Sequence, residues 1–499
     1  MQHPDNGIDK RTYLCFDLGT TRIKSSLLDS KGNILYLDSE RAVSHEEGNS
    51  VIQKPEEYYE SVMDQILSMK KKCGRHLQKA DSIMCSGQMA GILSIDRDWK
   101  VVMPWTYSID TRANKYLADI EDMLAPQVRD SSGGVPFMAA KIKWIKNDFP
   151  SHYSRSYKFI NLNTYVAGRL AGLNGDEAFI DHSVLAMNGL ADVKKGIWNR
   201  GIIDSLGLDI EKLPAIMPPY QAVGTVSRKV LGTDQDIKVL TGIGDQIAGF
   251  IGAGILNKGD LVDVAGTYTV LGYAGDRFIP DTGDRMISSI YSGIGDLYYH
   301  LAVVAVGGYL YNWFMEKFHY DDSRLEEPRD TGGLFFIPHM GGRAAPPQPY
   351  YHGTFYGLKW NHDLDSIYTS MLECIGYEYD FILDKIKALN GLKSGVLDKI
   401  KVIGGGSRNR IWNRIKSSIM GLEYQAMEEA SFEILGNYLI ARYGDRIKEG
   451  YRELEKHNII SVYENISPDK KEAEKYRSVK IKYRDVVERI GSIYRDYER

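Results

Sequence analysis

The sequence predicts an α/β protein built from two related domains. Its 499 residues favour more than one domain. An apolar strand ends in a Gly-Thr turn at Gly19, and the same order of elements returns at Gly266, about half the chain later. A repeat at this distance indicates a duplicated domain. We expect an N-terminal domain over residues 1–250 and a C-terminal domain over residues 251–499.

The first turn carries a carboxylate, a glycine and two hydroxyl groups. The strand from Tyr13 runs through Asp17 into Gly19, Thr20 and Thr21, and a second strand follows, which is the pattern of a β-hairpin. Glycine lets backbone N–H groups approach a phosphate. The threonines add hydroxyl donors, and Asp17 is suited to hold Mg²⁺ through water. The alternative is a strand–turn–strand without a ligand.

The second turn, Gly266-Thr267, follows the strand Leu261–Ala265 and repeats this pattern. Two hairpins directed at one phosphate chain are the arrangement of actin-like ATPases. The pair therefore predicts a nucleotide site.

Composition excludes several other classes of function. The charged fraction of 26% and the hydrophobic fraction of 43% are ordinary for a globular protein, and the net charge of −4 gives no basic footprint for nucleic acid. The apolar run from Val239 to Leu256 is interrupted by Asp245, so we expect no membrane span. No apolar signal region begins the chain, and we expect a cytoplasmic protein. The four cysteines form no C-x-x-C pair, so zinc and disulfides are not indicated.

Asp245 stands between a predicted strand, Asp236–Leu240, and a predicted helix. A carboxylate at a helix start serves as an N-cap in the simplest interpretation. Just before the second hairpin, it is also placed to accept a hydroxyl proton as a general base.

Two polar stretches of the first half are candidate substrate segments. Gln88 and Met89 follow the predicted strand Ser82–Cys85, and ligands of α/β proteins bind where strands end. Asp110 and Arg112, beside aromatic residues, suit a polyhydroxylated ligand. A structural ion pair is the alternative for Asp110 and Arg112.

A third glycine segment, Gly404-Gly405-Gly406, follows the strand Ile400–Ile403 and precedes Asn409 and a helix. Glycines let a flat ring lie against the backbone, close to N–H groups at the helix start. After two phosphate turns, this segment is the natural adenosine site.

Together, Asp17-Leu18-Gly19-Thr20-Thr21, Gly244-Asp245-Gln246, Gly266-Thr267 and Gly404–Asn409 resemble the FGGY carbohydrate kinase family, and most closely its xylulokinases. The resemblance runs from Asp17 to about Ala441. It implies two ribonuclease-H-like domains of the actin-like ATPase type, with an ATP cleft between them.

The resemblance also implies ATP-dependent phosphorylation of a sugar hydroxyl with Mg²⁺, Asp245 as the catalytic base and a substrate site that includes Asp245. Gly308 and Asn312, followed by Trp313, resemble a further nucleotide-contacting stretch. Lys24 is expected to assist at the phosphates, and a homodimer is the expected assembly.

The sequence departs from the xylulokinases at the substrate segments. Ala90 stands where they usually have His, and Ser108 where they usually have Trp. The Gly341-Gly342-Arg343 loop lacks the family's usual Glu. A ketopentose such as xylulose is the expected acceptor, and ribulose, glycerol and gluconate are the alternatives.

Two other classes of function remain open from the sequence. One is an ATP-driven binding protein of the actin type, which shares the hairpins but needs no sugar pocket. The other is a catalytically silent sensor that binds sugar and ATP. Asp17 and Asp245 argue against the sensor, and substrate-dependent ADP release would separate all three.

Overall fold

Strands and helices are interspersed along the part of the chain that the structure describes. In this computed structural model, residues 10–47, 50–107, 110–393, 395–428 and 430–497 are described. In chain order the strands are β1 Thr12–Leu18, β2 Arg22–Asp29, β3 Ile34–Arg41, β4 His45–Glu47, β5 Ser50–Ile52, β6 Ala80–Gly87, β7 Ile92–Ile95, β8 Val101–Thr106, β9 Lys158–Ile160, β10 Phe179–Asp181, β11 Ala191–Asp192, β12 Ile197–Trp198, β13 Ala215–Met217, β14 Ala222–Val226, β15 Ile237–Leu240, β16 Ile243–Gly244, β17 Leu261–Ala265, β18 Thr269–Gly275, β19 Ser288–Tyr291, β20 Tyr298–Val304, β21 Phe335–Ile337, β22 Thr354–Tyr356, β23 Lys399–Ile403, β24 Glu423–Met427 and β25 Val462–Ile466.

The α-helices connect these strands and cover the sheets. They are α1 Pro55–Leu77, α2 Asn114–Ser132, α3 Phe137–Asp148, α4 Pro150–Arg155, α5 Leu162–Ala171, α6 Leu185–Asn188, α7 Arg200–Ser205, α8 Arg228–Leu231, α9 Asp245–Gly252, α10 Gly308–Phe318, α11 Leu364–Asn390, α12 Arg410–Met420, α13 Phe432–Tyr443, α14 Ile447–Lys456 and α15 Lys470–Tyr497. Short 3₁₀ turns lie at Gly175–Glu177, His182–Val184, Ile210–Lys212, Asp322–Arg324 and Gly405–Arg408.

The chain divides into two compact units. The first comprises Met1–Leu256, Ile290–Leu297 and Ser431–Ile460, and the second comprises Asn257–Ser289, Tyr298–Ala430 and Ser461–Arg499. The first unit therefore includes residues 431–460, from the half of the chain that we expected to form the second domain. The expected boundary between the two domains at residue 250 stays a prediction.

The first unit is built on a mixed sheet in the order β14-β15-β6-β1-β2-β3, with β16 also paired to β6. β1, β2 and β3 form an antiparallel meander, whereas β6 runs parallel to β1 and β15 runs parallel to β6. All seven residues of β1 are buried, because the strand is central in the sheet. The ends of β1, β6 and β16 thus meet at one edge.

The second unit repeats this topology. β17, β18 and β20 form an antiparallel meander, while β23 runs parallel to β17 and β24 runs parallel to β23. In both units the first hairpin has a three-residue turn, over residues 19–21 and 266–268. The predicted α/β class and the predicted duplication are therefore confirmed.

Helix α13 joins the first unit through close packing on α9. A methyl group at Gly436 of α13 would lie 2.0 Å from the carbonyl oxygen of Ala248, and one at Gly252 of α9 would lie 1.9 Å from that of Phe432. Only glycine permits two helix backbones to approach so closely. The Asn437 Nδ2 group also donates to the Phe16 carbonyl at 2.8 Å, which fixes α13 to β1.

Gly436→Ala tests this packing. The added methyl group overpacks the contact between α9 and α13, so the free energy of unfolding should fall by about 1–3 kcal/mol in chemical denaturation. Gly74→Ala is the matched control, because no atom lies within 4 Å of the added methyl group. Equal stability of Gly436→Ala and wild type would contradict the packing argument.

Candidate active site

The first turn is held from within the first unit. The Tyr58 hydroxyl donates to the Gly19 carbonyl at 3.0 Å, and the Gln53 side-chain amide donates to the Thr20 carbonyl at 2.9 Å. A side chain at Gly19 would approach the Arg22 carbonyl oxygen to 2.8 Å, which explains the glycine. Thr20 and Thr21 are exposed. The predicted phosphate turn is thus fixed by its carbonyls, and both threonine side chains reach the surface.

Asp17 and Lys24 lie opposite each other on β1 and β2. The Lys24 Nζ atom is 3.4 Å from Asp17 Oδ2 and 3.2 Å from Oε2 of Glu433, in the first turn of α13. Burial and the charge of Glu433 raise the pKa of Asp17 to about 6, although Lys24 and the Ser86 hydroxyl oppose this rise. One ammonium group therefore serves two carboxylates.

Asp245 is the first residue of α9, directly after the short strand β16. Its Oδ1 atom accepts a hydrogen bond from the Gln246 amide at 2.7 Å. Burial, followed by the charge of Asp17, raises the pKa of Asp245 to about 7, while the Gln246 amide opposes this rise. A carboxylate with a pKa near neutrality accepts a proton much more strongly than an ordinary aspartate.

The residue before Asp245 is fixed from the neighbouring turn. The Gly244 amide donates to the Ser183 hydroxyl oxygen at 2.8 Å, and that hydroxyl donates to Asp181. A methyl group at Gly244 would meet Met89 Cγ at 2.6 Å. Met89, predicted to line the substrate site, therefore packs beside the strand that leads to Asp245.

Gln88 is buried, and its side-chain amide is engaged inside the protein. The amide donates to Gln53 Oε1 at 2.9 Å and to the Tyr58 hydroxyl at 3.3 Å, and its oxygen accepts from the Trp105 indole at 3.3 Å. Gln53 and Tyr58 are the residues that hold the first turn. These contacts fit a residue that positions the side chains holding the first turn, and direct binding of a sugar by Gln88 stays a prediction.

Asp110 and Arg112 form a bidentate ion pair. The Arg112 Nε atom lies 2.9 Å from Asp110 Oδ1, and Nη2 lies 2.6 Å from Oδ2. The Asp110 side chain is 2% exposed and that of Arg112 is 27% exposed, so Arg112 is the member of the pair that reaches the surface. The ion pair, which was the alternative interpretation of these two residues, is therefore present. Arg112 is the member of the pair that can still donate a hydrogen bond to a ligand.

Ala90 has a partly exposed side chain, and its carbonyl accepts from the buried Lys141 ammonium at 3.2 Å. The Ala90 backbone is therefore held by a lysine that the sequence patterns did not indicate. Ser108, the other departure from the xylulokinases, lies outside the described residues.

The second unit contains a pocket of about 800 Å³. The second hairpin turn, the start of α10 and the glycine segment all line it, which brings together residues that the sequence analysis predicted separately. Its lining residues are Ala265, Gly266, Thr267, Gly308, Tyr311, Asn312, Asp322, Gly405, Gly406, Arg408, Asn409, Arg410, Ile411 and Trp412. The volume suits a ligand the size of a nucleoside or larger.

The predicted residues of this pocket have different tasks. The Gly308 amide donates to the Gly266 carbonyl at 2.8 Å, which joins α10 to the hairpin turn. Asn409 is the N-cap of α12, since its Oδ1 atom accepts from the Trp412 amide at 2.9 Å. Gly405 is exposed, and no atom lies within 4 Å of a methyl group placed on it. Gly405 thus presents open backbone to the pocket.

Several site residues were missed by the sequence analysis. Glu433 and Lys141 have a signal that could have found them: each is a charged residue within a helical run of apolar residues. Ser183, Asp181 and the pocket residues Tyr311, Asp322 and Trp412 have no comparable pattern. Their positions depend on the fold alone.

Among the described residues, no three histidine, cysteine, aspartate or glutamate side chains are grouped as a metal cage. Mg²⁺ beside phosphates usually keeps several waters and takes one or two carboxylates, so the carboxylate of Asp17 is chemically compatible with it, and this role of Asp17 stays a prediction. The four cysteines are free. No described helix is both long and apolar enough to cross a membrane.

Comparisons with known proteins agree on one family. The model of the FGGY family of carbohydrate kinases, N-terminal domain, matches residues 12–252, and that of the C-terminal domain matches residues 264–444. A xylulose kinase of Staphylococcus epidermidis is 24% identical over 87% of this chain and 88% of its own length. A gluconokinase of Bacillus subtilis is 24% identical over 86% and 87%. The solved structure of a ligand-bound xylulose kinase from Lactobacillus acidophilus has a TM-score of 0.87 at 20% identity, over 98% of this chain and all of that one.

The raised pKa of Asp245 predicts a pH dependence of stability. An unfolded aspartate has a pKa of about 3.9. Between that value and about 7, the unfolded state has lost a proton that folded Asp245 keeps. Because ionisation then favours the unfolded state, the free energy of unfolding of wild type, relative to Asp245→Asn, should fall as the pH rises from 4 to 7. It should level off above pH 7.

Chemical denaturation of both proteins from pH 4 to 8 measures this difference. Its slope is at most about 1.4 kcal/mol per pH unit. Asp64→Asn, at an exposed position of α1, is the matched control. If the difference in the free energy of unfolding between wild type and Asp245→Asn does not change with pH, the raised pKa of Asp245 is refuted.

Proposed function

Because the chain belongs to the FGGY family of carbohydrate kinases, we propose that it transfers the γ-phosphoryl group of ATP to a hydroxyl of a ketopentose such as xylulose. The proposal rests mainly on Asp245. This residue begins helix α9, its pKa is raised to about 7, and it belongs to the unit that holds the first phosphate turn.

A sugar hydroxyl is a poor nucleophile near neutral pH, so its transfer step needs a base. In the proposed step, Asp245 takes the hydroxyl proton as the oxygen forms a bond to the γ-phosphorus. The bond between the γ-phosphorus and the bridging oxygen breaks, and ADP leaves with the electron pair. Asp17 and Glu433 favour the transfer, because nearby negative charge makes Asp245 a stronger proton acceptor.

In the first unit, Gly19, Thr20, Thr21 and Lys24 are proposed to bind phosphate oxygens. Asp17 is proposed to hold Mg²⁺ through water. When bound, Mg²⁺ neutralises part of the phosphate charge. The carbonyls of Gly19 and Thr20 are held by Tyr58 and Gln53, so the turn is preorganised for this task.

In the second unit, the pocket of about 800 Å³ is proposed as the site for adenosine and the adjoining phosphates. Gly405 and Gly406 offer backbone to a flat base, and Gly266 and Thr267 offer turn donors to phosphate. Gly308 and Asn409 support this pocket through the hairpin and the helix start, and Asn312 lines it.

The proposed acceptor follows from the sequence of Gln88-Met89 and from the xylulose kinases among the relatives. The gluconokinase relative and the positive charge of Arg112, whose side chain is partly exposed, favour a sugar acid as the second candidate. Glycerol and ribulose remain alternatives. A buried polar site separates acceptors by about 1–3 kcal/mol for each unmatched hydroxyl, so one acceptor should dominate.

A homodimer and a cytoplasmic location complete the proposal. Analytical ultracentrifugation checks the first, and cell fractionation checks the second.

An acceptor panel tests the function. Wild type should release ADP in the presence of D-xylulose faster than with ribulose, glycerol or gluconate. In Asp245→Asn this turnover should fall by about 10²–10⁴-fold, which is the usual contribution of a general base to the rate, while ATP binding should be retained. Acceptor-independent ADP release, or Asp245→Asn within a few-fold of wild type, would refute the assignment.

Gly405→Val tests the pocket of the second unit. The added side chain points into open space, so folding should be unchanged, while ATP affinity measured by calorimetry should fall about tenfold or more. Gly283→Val is the matched control, since it also meets no atom within 4 Å and lies outside the pocket. Unchanged ATP affinity in a folded Gly405→Val protein would move the adenosine site elsewhere.

A further inference from the structure

Lys141 is a buried lysine that the proposed reaction does not use. It lies on α3, and its ammonium donates to three backbone carbonyls: Tyr107 at 2.6 Å, Thr106 at 2.9 Å and Ala90 at 3.2 Å. These acceptors belong to two separate segments, one after β6 and one at the end of β8. All three hydrogens of the ammonium group are thus used to join the segments.

An ammonium group in this position is costly, because burial removes its water. Burial lowers the pKa of Lys141 to about 7, and the charge of Arg112 lowers it as well, while Asp110, whose carboxylate is already paired with Arg112, opposes this fall. A methionine would fill the same volume without the cost of a buried charge, although it would leave the three carbonyls without a donor. The ammonium is therefore best explained by the geometry of the backbone that it holds.

Trp144, one helical turn along α3, acts on the same region. The Arg112 guanidinium lies 4.6 Å from the centre of the Trp144 ring, in a cation–π contact. Residues three apart share a helix face. One face of α3 thus supports both the backbone at residues 106–107 and the guanidinium at residue 112.

We propose that Lys141 is a positioning residue for acceptor recognition, which sets the place of Arg112 and of the Ala90 backbone relative to the bound sugar. The proposal rests on the proposed function, because it assumes that Arg112 contacts the acceptor. Helix α3 then supports the substrate segments, and the Lys141 ammonium connects them through its hydrogen bonds.

The test is the steady-state kinetics of Lys141→Met with each acceptor of the panel. Displacement of the segments should raise the KM for the preferred acceptor about tenfold. The KM for ATP should stay within twofold. Lys141→Arg, which keeps the charge and the donors, should recover part of the loss. If Lys141→Met does not fold, Trp144→Leu provides the same measurement from the other contact.

Lys143→Met is the matched control. Lys143 is two residues further along α3, where side chains face away from Lys141, and it is partly exposed. Its acceptor KM should equal that of wild type. A folded Lys141→Met with an unchanged acceptor KM, or equal rises in the KM values for acceptor and ATP, would overturn the positioning role.

Arg112→Met separates the two claims. If it leaves the acceptor KM unchanged, the proposed substrate segment is wrong. If it raises the acceptor KM while Lys141→Met does not, the substrate segment stands and the role of Lys141 is refuted.

Discussion

Three carboxylates beside one lysine form the charge cluster on which the proposed chemistry of the first unit depends. Asp17, Asp245 and Glu433 come from β1, α9 and α13, and Lys24 contacts two of them. One ammonium cannot neutralise three carboxylates at once, so the protonated form of at least one of them is favoured. Burial is the largest cause of the raised pKa values of Asp17 and Asp245, and the charges of the neighbouring carboxylates add to it.

The packing of α9 on α13 contributes to this charge cluster. Without α13 the first unit would lack Glu433, and a charge that helps to raise the pKa of Asp245 would be absent. The glycines at the contact permit the close approach of the two helices. The same helix pair therefore contributes to the packing of the first unit and to the charge near Asp245.

The sequence was sufficient for features that are local. The two Gly-Thr turns, the duplicated meander and the glycine segment all consist of neighbouring residues with a recognisable pattern. Asp17, Asp245, Gly266 and Gly405 could be named because each lies at the end of a predicted strand or the start of a predicted helix. Their catalytic and binding roles stay predictions.

Contacts between distant parts of the chain could not be named from the sequence. Glu433 lies 409 residues from Lys24, and Asn437 lies 421 residues from Phe16, so no local pattern relates them. The pairing of Asp110 with Arg112 was expected as a ligand site, whereas burial of Asp110 depends on packing that only the fold supplies. Lys141 has a sequence signal, its charge within an apolar helix, but its three acceptors are backbone carbonyls, which no sequence pattern identifies.

The proposed chemistry depends on an Asp245 carboxylate whose pKa is raised to about 7. Infrared difference spectroscopy of wild type against Asp245→Asn measures it directly, through the carboxylate band that the substitution removes. The raised pKa of Asp245 predicts that this band titrates with a midpoint at about pH 7 in the protein without ligands. A midpoint near the ordinary aspartate value of about 4 would contradict it.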